Sequence, residues 1–268
     1  MFSLKDKTAL VTGSTFGIGL GIIRVLARAG ANVVMNGRKP PDDLEELLGE
    51  LSSHGNRAIF IPADVTQGKD RERLFRESLK AFGRFDILVN NAGSLYDRGW
   101  ERLNEDIFDR TIDLNVKAAF FMSKQAIDHF RKLKQRGSIV LVASTNSFAA
   151  ERGSPCYDTS KGALLMMTRT LAVQTFDDSI NVNALCPGLI TTPLIRRLSG
   201  DEGTFQMIGC GVPKGRFGTI EECGYAVLYM VSDEAQYMTG QHITLDGGIL
   251  AIQHTQVSNL GDKAPEKF

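Results

Sequence analysis

The chain has 268 residues, with 31 Lys and Arg balanced by 31 Asp and Glu, 43% hydrophobic residues and 23% charged. That length suits one large α/β domain, and the apolar fraction excludes a largely disordered chain. A formal net charge of zero speaks against nucleic-acid or anionic-membrane partners, which both draw on a basic excess.

Cys156, Cys186, Cys210 and Cys223 lie far apart without a C-x-x-C pair, so they read as reduced core or pocket thiols. His54, His129, His242 and His254 show no ligand spacing, and no metal site is expected. Lys5 and Lys7 precede an uncharged run from Thr8 to Ile23. Gly13, Gly17, Gly19 and Gly21 with Thr12, Ser14 and Thr15 make that run too polar to span a bilayer. A cytoplasmic location is the resulting expectation.

Short β-branched runs alternate with longer amphipathic segments. Thr8 to Val11 predicts a strand buried on both faces, followed by a Gly-rich turn and a helix to about Ala29. Asn32 to Asn36 predicts a second strand, Leu44 to Leu51 a helix, and Arg57 to Pro62 a third strand. A charged helix from about Asp70 to Phe82 and a strand from Phe85 to Val89 follow. A helical pair is expected over Asn104 to Leu133, a strand over Ser138 to Val142, and a helix from about Cys156 to Phe176. Ile180 to Leu185, Glu221 to Val231 and Gln241 to Leu245 complete the order as strand, helix and strand. The βα repetition implies an α/β fold with a parallel sheet between helices, and ligands at the strand C-termini. Residues 1–252 read as one domain, with a glycine-bearing lid at about 189–218. The polar segment 253–268 fits either a loose tail or one docked on a neighbouring subunit.

Gly13, Thr15, Phe16, Gly17, Ile18 and Gly19 lie where the first strand gives way to a helix. Pyrophosphate oxygens can approach backbone N–H groups at a helix N-terminus only where side chains are small. The second strand ends Asn36-Gly37-Arg38-Lys39, with no Asp or Glu from Asn32 to Pro41. A carboxylate there would take the ribose hydroxyls of NAD, whereas Arg38 suits a 2′-phosphate. NADP(H) is therefore the preferred cofactor, with NAD(H) possible.

Tyr157 and Lys161 stand at i and i+4, on one face of a helix. A free tyrosine is a poor base, with a pKa near ~10. A lysine, a cationic nicotinamide and a dry pocket together can lower that value.

With these residues, the chain closely resembles the short-chain dehydrogenase/reductase family. The resemblance covers residues 3–250 and rests on Thr12-Gly13-x-x-x-Gly17-Ile18-Gly19, Asn90-Asn91-Ala92-Gly93, Asn115, Ser144, Tyr157-x-x-x-Lys161 and Pro187-Gly188. It implies a single-domain Rossmann fold, with a seven-stranded parallel sheet and helices on both faces. It also implies nicotinamide-dependent interconversion of an alcohol and a carbonyl, and a homotetramer with long helices paired across its interfaces. By position, Tyr157 resembles the general acid/base and Ser144 the group that hydrogen-bonds substrate oxygen. Lys161 resembles the residue that holds the nicotinamide ribose and depresses the tyrosine pKa. Asn115 looks like the anchor of a water in a proton relay. Asp64 and Val65 match the adenine contacts, and Asn90, Ala92 and Gly93 the cofactor floor. Pro187, Gly188, Ile190 and Thr192 match the segment that holds the carboxamide and pyrophosphate. Phe16 stands where some NADP-dependent members carry a basic residue, and Asp158 and Thr159 are unusual neighbours for the tyrosine.

Substrate choice belongs to the loops Ser94–Trp100, Thr145–Cys156 and Leu189–Gly218. Their Asn146, Glu151, Arg152 and Arg98, among apolar Leu95, Phe148, Leu194 and Phe205, suit a sugar, polyol or hydroxy acid. An exposed lid would display the same mixture. Other readings are a 3-oxoacyl thioester substrate, or a non-catalytic dinucleotide-binding module.

Overall fold

The computed structural model describes residues 2–97 and 99–252. Arg98 and the segment 253–268 therefore lie outside the described residues. The elements run β1 (Thr8–Val11), α1 (Gly17–Arg28), β2 (Asn32–Gly37), α2 (Leu44–Ser52), β3 (Ala58–Pro62), α3 (Gly68–Phe82) and β4 (Ile87–Asn90). They continue through α4 (Glu105–Ile112), α5 (Ala118–Leu133), β5 (Gly137–Val142), α6 (Pro155–Gln174) and β6 (Ile180–Pro187). The chain then forms α7 (Pro193–Ser199), α8 (Glu202–Cys210), α9 (Ile220–Val231) and β7 (His242–Leu245).

The seven strands pair in the order β3-β2-β1-β4-β5-β6-β7, all parallel. Alternation along each strand feeds two apolar layers. Leu10, Leu88, Ile139 and Leu141 enter the layer beneath α3, α5 and α6, with Leu74, Phe75, Met122, Phe130 and Leu164. Ala9, Val11, Ile87, Val89 and Val140 enter the other, with Ile22, Leu26, Leu47, Val227 and Met230 from α1, α2 and α9. Each fully buried Leu or Ile contributes roughly 1.5–3 kcal/mol against its conformational cost.

Helices α1 and α9 cross at two glycines. A Cβ on Gly21 would lie 2.2 Å from the Ile220 carbonyl oxygen, and one on Gly224 would lie 2.7 Å from that of Gly21. Helix α9 is started by a capping box, in which the Thr219 hydroxyl accepts from Glu222 N and Glu222 accepts from Thr219 N.

Two segments take a more specific form than the sequence pattern alone describes. The pair over Asn104 to Leu133 has no loop between its members, because the π-helical turn Asp113–Lys117 joins α4 to α5 directly. The stretch from Ser199 to Gly218 is not simply a glycine-rich loop, because α8 occupies part of it and α7 precedes it. Each is opened by a side chain: Thr192 accepts from Ile195 N, and Asp201 from Thr204 N.

Candidate active site

The sheet order reverses between β1 and β4, so the loops after these strands diverge and leave a crevice at their C-terminal ends. Gly13 at φ +61° and Gly17 at φ +58° turn the chain from β1 into α1 in a conformation that L side chains resist. The turn is fastened from beneath. Thr12 Oγ1 accepts from the backbone N–H groups of Asn91 and Ala92, both at 3.0 Å. Asn91 Nδ2 donates to the carbonyls of Thr12 (3.0 Å) and Gly13 (2.9 Å). A Cβ on Gly19 would lie 2.4 Å from Asn91 Nδ2, so that cradle tolerates no side chain.

Asn36, buried at the end of β2, accepts from Gly13 N and donates to the carbonyls of Ile61 and Ala63. Arg38 is exposed in the turn that follows, and it makes no ion pair with another described residue. Thr15 packs over Gly37, where a Cβ would lie 2.8 Å from its methyl group. Phe16 is exposed at the N-cap of α1, and Ile18 packs half-buried on the apolar layer.

The remaining cofactor positions divide between contact and support. Asp64 uses Oδ1 to accept from Thr66 N and Oγ1, which leaves its other oxygen for a ligand. Val65 is buried in the core, so only its backbone can face a nucleotide. Asn90 is also buried and donates to Ser123 Oγ at 2.9 Å, a bond that serves the sheet. Ala92 abuts Gly13, and Gly93 faces Asn115 Oδ1 and Lys161 Nζ. Pro187 ends β6, and Gly188 N donates to the Leu245 carbonyl. Ile190 forms an isolated bridge to Gly218. Thr192 places its methyl group 3.6 Å from where a Cβ on Gly17 would stand, so the loop after β6 reaches the N-terminus of α1.

These features fit a dinucleotide. Backbone N–H groups meet in a cradle that a Cβ would fill, and an unpaired guanidinium stands at its far end.

Helix α6 is opened by Pro155, which has no N–H to leave unpaired, and it carries Tyr157 and Lys161 in its first turns. Lys161 is buried, with Nζ 2.8 Å from the Val142 carbonyl and 5.4 Å from the Tyr157 ring centroid. Burial pushes its pKa down to about 8. The Tyr157 phenol is pushed up to about 12, mainly by burial, with further upward pressure from Asp158, Glu151 and Asp97 and opposition from Ser144. The protein's own groups hold the phenol protonated.

Asn115 is buried in the π-helical turn between α4 and α5. Its Oδ1 accepts from Ser94 N at 2.9 Å, and its Nδ2 donates to the Ser94 carbonyl at 3.0 Å and to Ser160 Oγ at 2.9 Å. The amide thus buckles the β4 loop to α6, and a water relay through this residue would have to use its backbone.

Ser144 lies buried after β5, and Asn146 stands beside it with its amide on Asp158. Two supports had gone unread in the sequence. Buried Asp97 accepts from the N–H groups of Cys156 (2.7 Å) and Tyr157 (3.3 Å), and Ser147 Oγ donates to the Lys161 carbonyl. Only the position of Asp97 in the loop after Asn90-Asn91-Ala92-Gly93 could have hinted at this. Among the described residues, no cluster of His, Cys, Asp or Glu could hold a metal, and no helix is long and apolar enough to cross a membrane.

Comparison with known proteins agrees with this geometry. A family model described as Enoyl-(Acyl carrier protein) reductase matches residues 13–250. Dehydrogenase/reductase SDR family member 4 of Homo sapiens is 37% identical over 251 residues, covering 91% of this chain and 88% of that protein. D-beta-hydroxybutyrate dehydrogenase of Rhizobium meliloti is 33% identical over 253 residues, covering 90% and 98%. A solved Agrobacterium tumefaciens structure with bound NADP, provisionally assigned as a 2-deoxy-D-gluconate 3-dehydrogenase, superposes with a TM-score of 0.85 at 33% identity, covering 94% and 99%. The chain belongs to the short-chain dehydrogenase/reductase family of NAD(P)-dependent oxidoreductases.

Proposed function

We propose that the protein is an NADP(H)-preferring oxidoreductase that interconverts a small polar secondary alcohol, such as a sugar, polyol or hydroxy acid, and its ketone. The convergence of Ser144, Tyr157 and Lys161 beside the glycine cradle carries this reading. The unpaired Arg38 supports NADP(H) over NAD(H), since a guanidinium pairs bidentately with a phosphate. The nicotinamide supplies or takes a hydride when bound. Ketone reduction also needs a proton, and a phenol held protonated at neutral pH is equipped to give one. Ser144 acts as a second donor to the oxygen on which negative charge grows. Lys161 places positive charge beneath the phenol as its proton departs, and also holds the ribose.

Residues 1–252 then act as one catalytic domain, and α7 with α8 forms the lid over the substrate. Exposed Phe120 and Phe121 on α5, with Met166 and Val173 on α6, support helix pairing in a homotetramer. A cytoplasmic setting accords with four free cysteines.

The test is NADPH oxidation with diacetyl, fructose and acetoacetate, and NADP+ reduction with polyols. Tyr157→Phe should lower turnover by roughly 10²–10⁴-fold, while NADPH binding by fluorescence titration stays within about threefold. Retained turnover removes Tyr157 from the reaction. Tight cofactor binding with no hydride transfer to any carbonyl would favour the non-catalytic module.

A further inference from the structure

After β3 the chain turns at Asp64, Val65, Thr66 and Gln67 before α3 begins, and most backbone polar groups of that turn are already engaged. The Ala63 carbonyl accepts from Asn36 Nδ2, and Asp64 N donates to Asp70 Oδ2 at 2.8 Å. The Asp64 carbonyl accepts from Gln67 N at 2.9 Å, while its side-chain Oδ1 accepts from Thr66 N and Oγ1. The carbonyls of Val65 and Thr66 both accept from Arg71 Nη1, at 2.7 and 2.9 Å. Arg71 is buried on α3, and its guanidinium carbon lies 5.5 Å from the centroid of the Phe121 ring on α5. It makes no ion pair with another described residue. Of the polar groups on Asp64 and Val65, only Asp64 Oδ2 and Val65 N keep no partner among the described residues. They are an acceptor and a donor on adjacent residues. The edge of adenine carries the reverse pair, an amino group and a ring nitrogen.

We propose, resting on the dinucleotide-dependent reading above, that Arg71 is a positioning residue for the base: by holding the Val65 and Thr66 carbonyls, it sets the Val65 N–H and the Asp64 carboxylate to read adenine. Nη1 carries two N–H groups, one for each carbonyl. Without them the carbonyl of buried Val65 loses its donor, and the turn must shift to bring that oxygen to another one. The donor and acceptor that face the base move with the turn. The cost falls on affinity and on the choice of base. It is the same for both cofactors, because the 2′-phosphate belongs to Arg38 at another strand end.

The test is fluorescence titration with NADPH, NADH and the hypoxanthine counterpart of NADPH. Hypoxanthine has a carbonyl where adenine has its amino group, so it sets oxygen against the Asp64 carboxylate. The wild type should bind that counterpart about tenfold or more less tightly than NADPH. Arg71→Met keeps an unbranched chain in the same space but has no N–H to give. It should weaken NADPH and NADH alike by about tenfold, and the hypoxanthine counterpart by under about threefold. A general loosening of the fold would weaken both bases equally.

Unchanged NADPH binding in Arg71→Met, equal losses for the two bases, or equal wild-type affinity for them overturns the proposal. Crystals of the wild type with NADP provide a reading that needs no variant to fold. They should show the adenine edge on Asp64 Oδ2 and Val65 N, with Arg71 still on both carbonyls, and an adenine that touches neither group overturns the proposal. A wild type that binds neither NADPH nor NADH overturns the dinucleotide reading itself, and this role with it.

Discussion

At neutral pH the phenol of Tyr157, pushed up to about 12, and the ammonium of Lys161, brought down to about 8, both keep their protons. A protonated phenol is the form that can give a proton, as the proposed ketone reduction requires. Alkaline conditions above about 8 would take the proton from Lys161 before that of Tyr157, an order imposed by burial. Arg38 stands exposed at the other end of the crevice. Replacing it by Asp removes charge-assisted bonds of about 1.5–3 kcal/mol. Arg38→Asp should therefore weaken NADPH by roughly 10–100-fold or more and NADH by under about threefold, read by titrating both cofactors. Equal losses would show that Arg38 does not distinguish them. Most residues at the site were legible because their chemistry sits in compact local patterns, such as Tyr157 with Lys161 or Gly13 with Gly17. Asn36, Asp97 and Asp158 were not read this way. Their partners lie on other elements, and a polar residue in a strand end or loop carries no sign of what it will meet.

The elements followed from periodicity wherever an apolar face is sustained, as in β1, α3 and α6. Over Ser199 to Gly218 the glycines hide a helix from the periodicity, because α8 forms despite Gly203 and Gly209 once Asp201 accepts from Thr204 N. Glycine also marks the tightest contact between elements. Gly21→Ala would drive a methyl group into the Ile220 carbonyl at 2.2 Å, and backbone cannot give way as a flexible side chain can. Helices α1 and α9 would have to separate, at a cost of about 1–3 kcal/mol or more. The urea midpoint of Gly21→Ala should fall accordingly, with an unchanged m-value, whereas Gly49→Ala, which meets nothing within 4 Å, should leave it in place or raise it.

Across the whole molecule, two apolar layers sandwich the sheet, and one of them contains a titratable ring. His129 lies between Phe75, Phe85 and Phe130 at centroid distances of 5.3, 6.2 and 6.0 Å, and its Nε2 has no hydrogen-bond partner. Burial lowers its pKa below the ordinary 6.5; Asp86 opposes the shift and Lys132 adds to it. The unfolded chain therefore takes up this proton at higher pH than the native state does. The stability contributed by the neutral ring is present above about 6.5 and is lost as pH falls from there towards the folded value. Denaturant midpoints of the wild type should thus fall more steeply between about pH 7.5 and 5.5 than those of His129→Phe, and parallel curves would refute this. The strands also deliver two loops to one helical turn: Asp97 arrives from the β4 loop, Asn146 and Glu151 from the β5 loop, and all engage the start of α6. An engineer who remodels the lip of this crevice to admit a bulkier ketone will therefore also disturb the helical turn that carries Tyr157, so the shape of the opening and the pose of that phenol cannot be altered separately here.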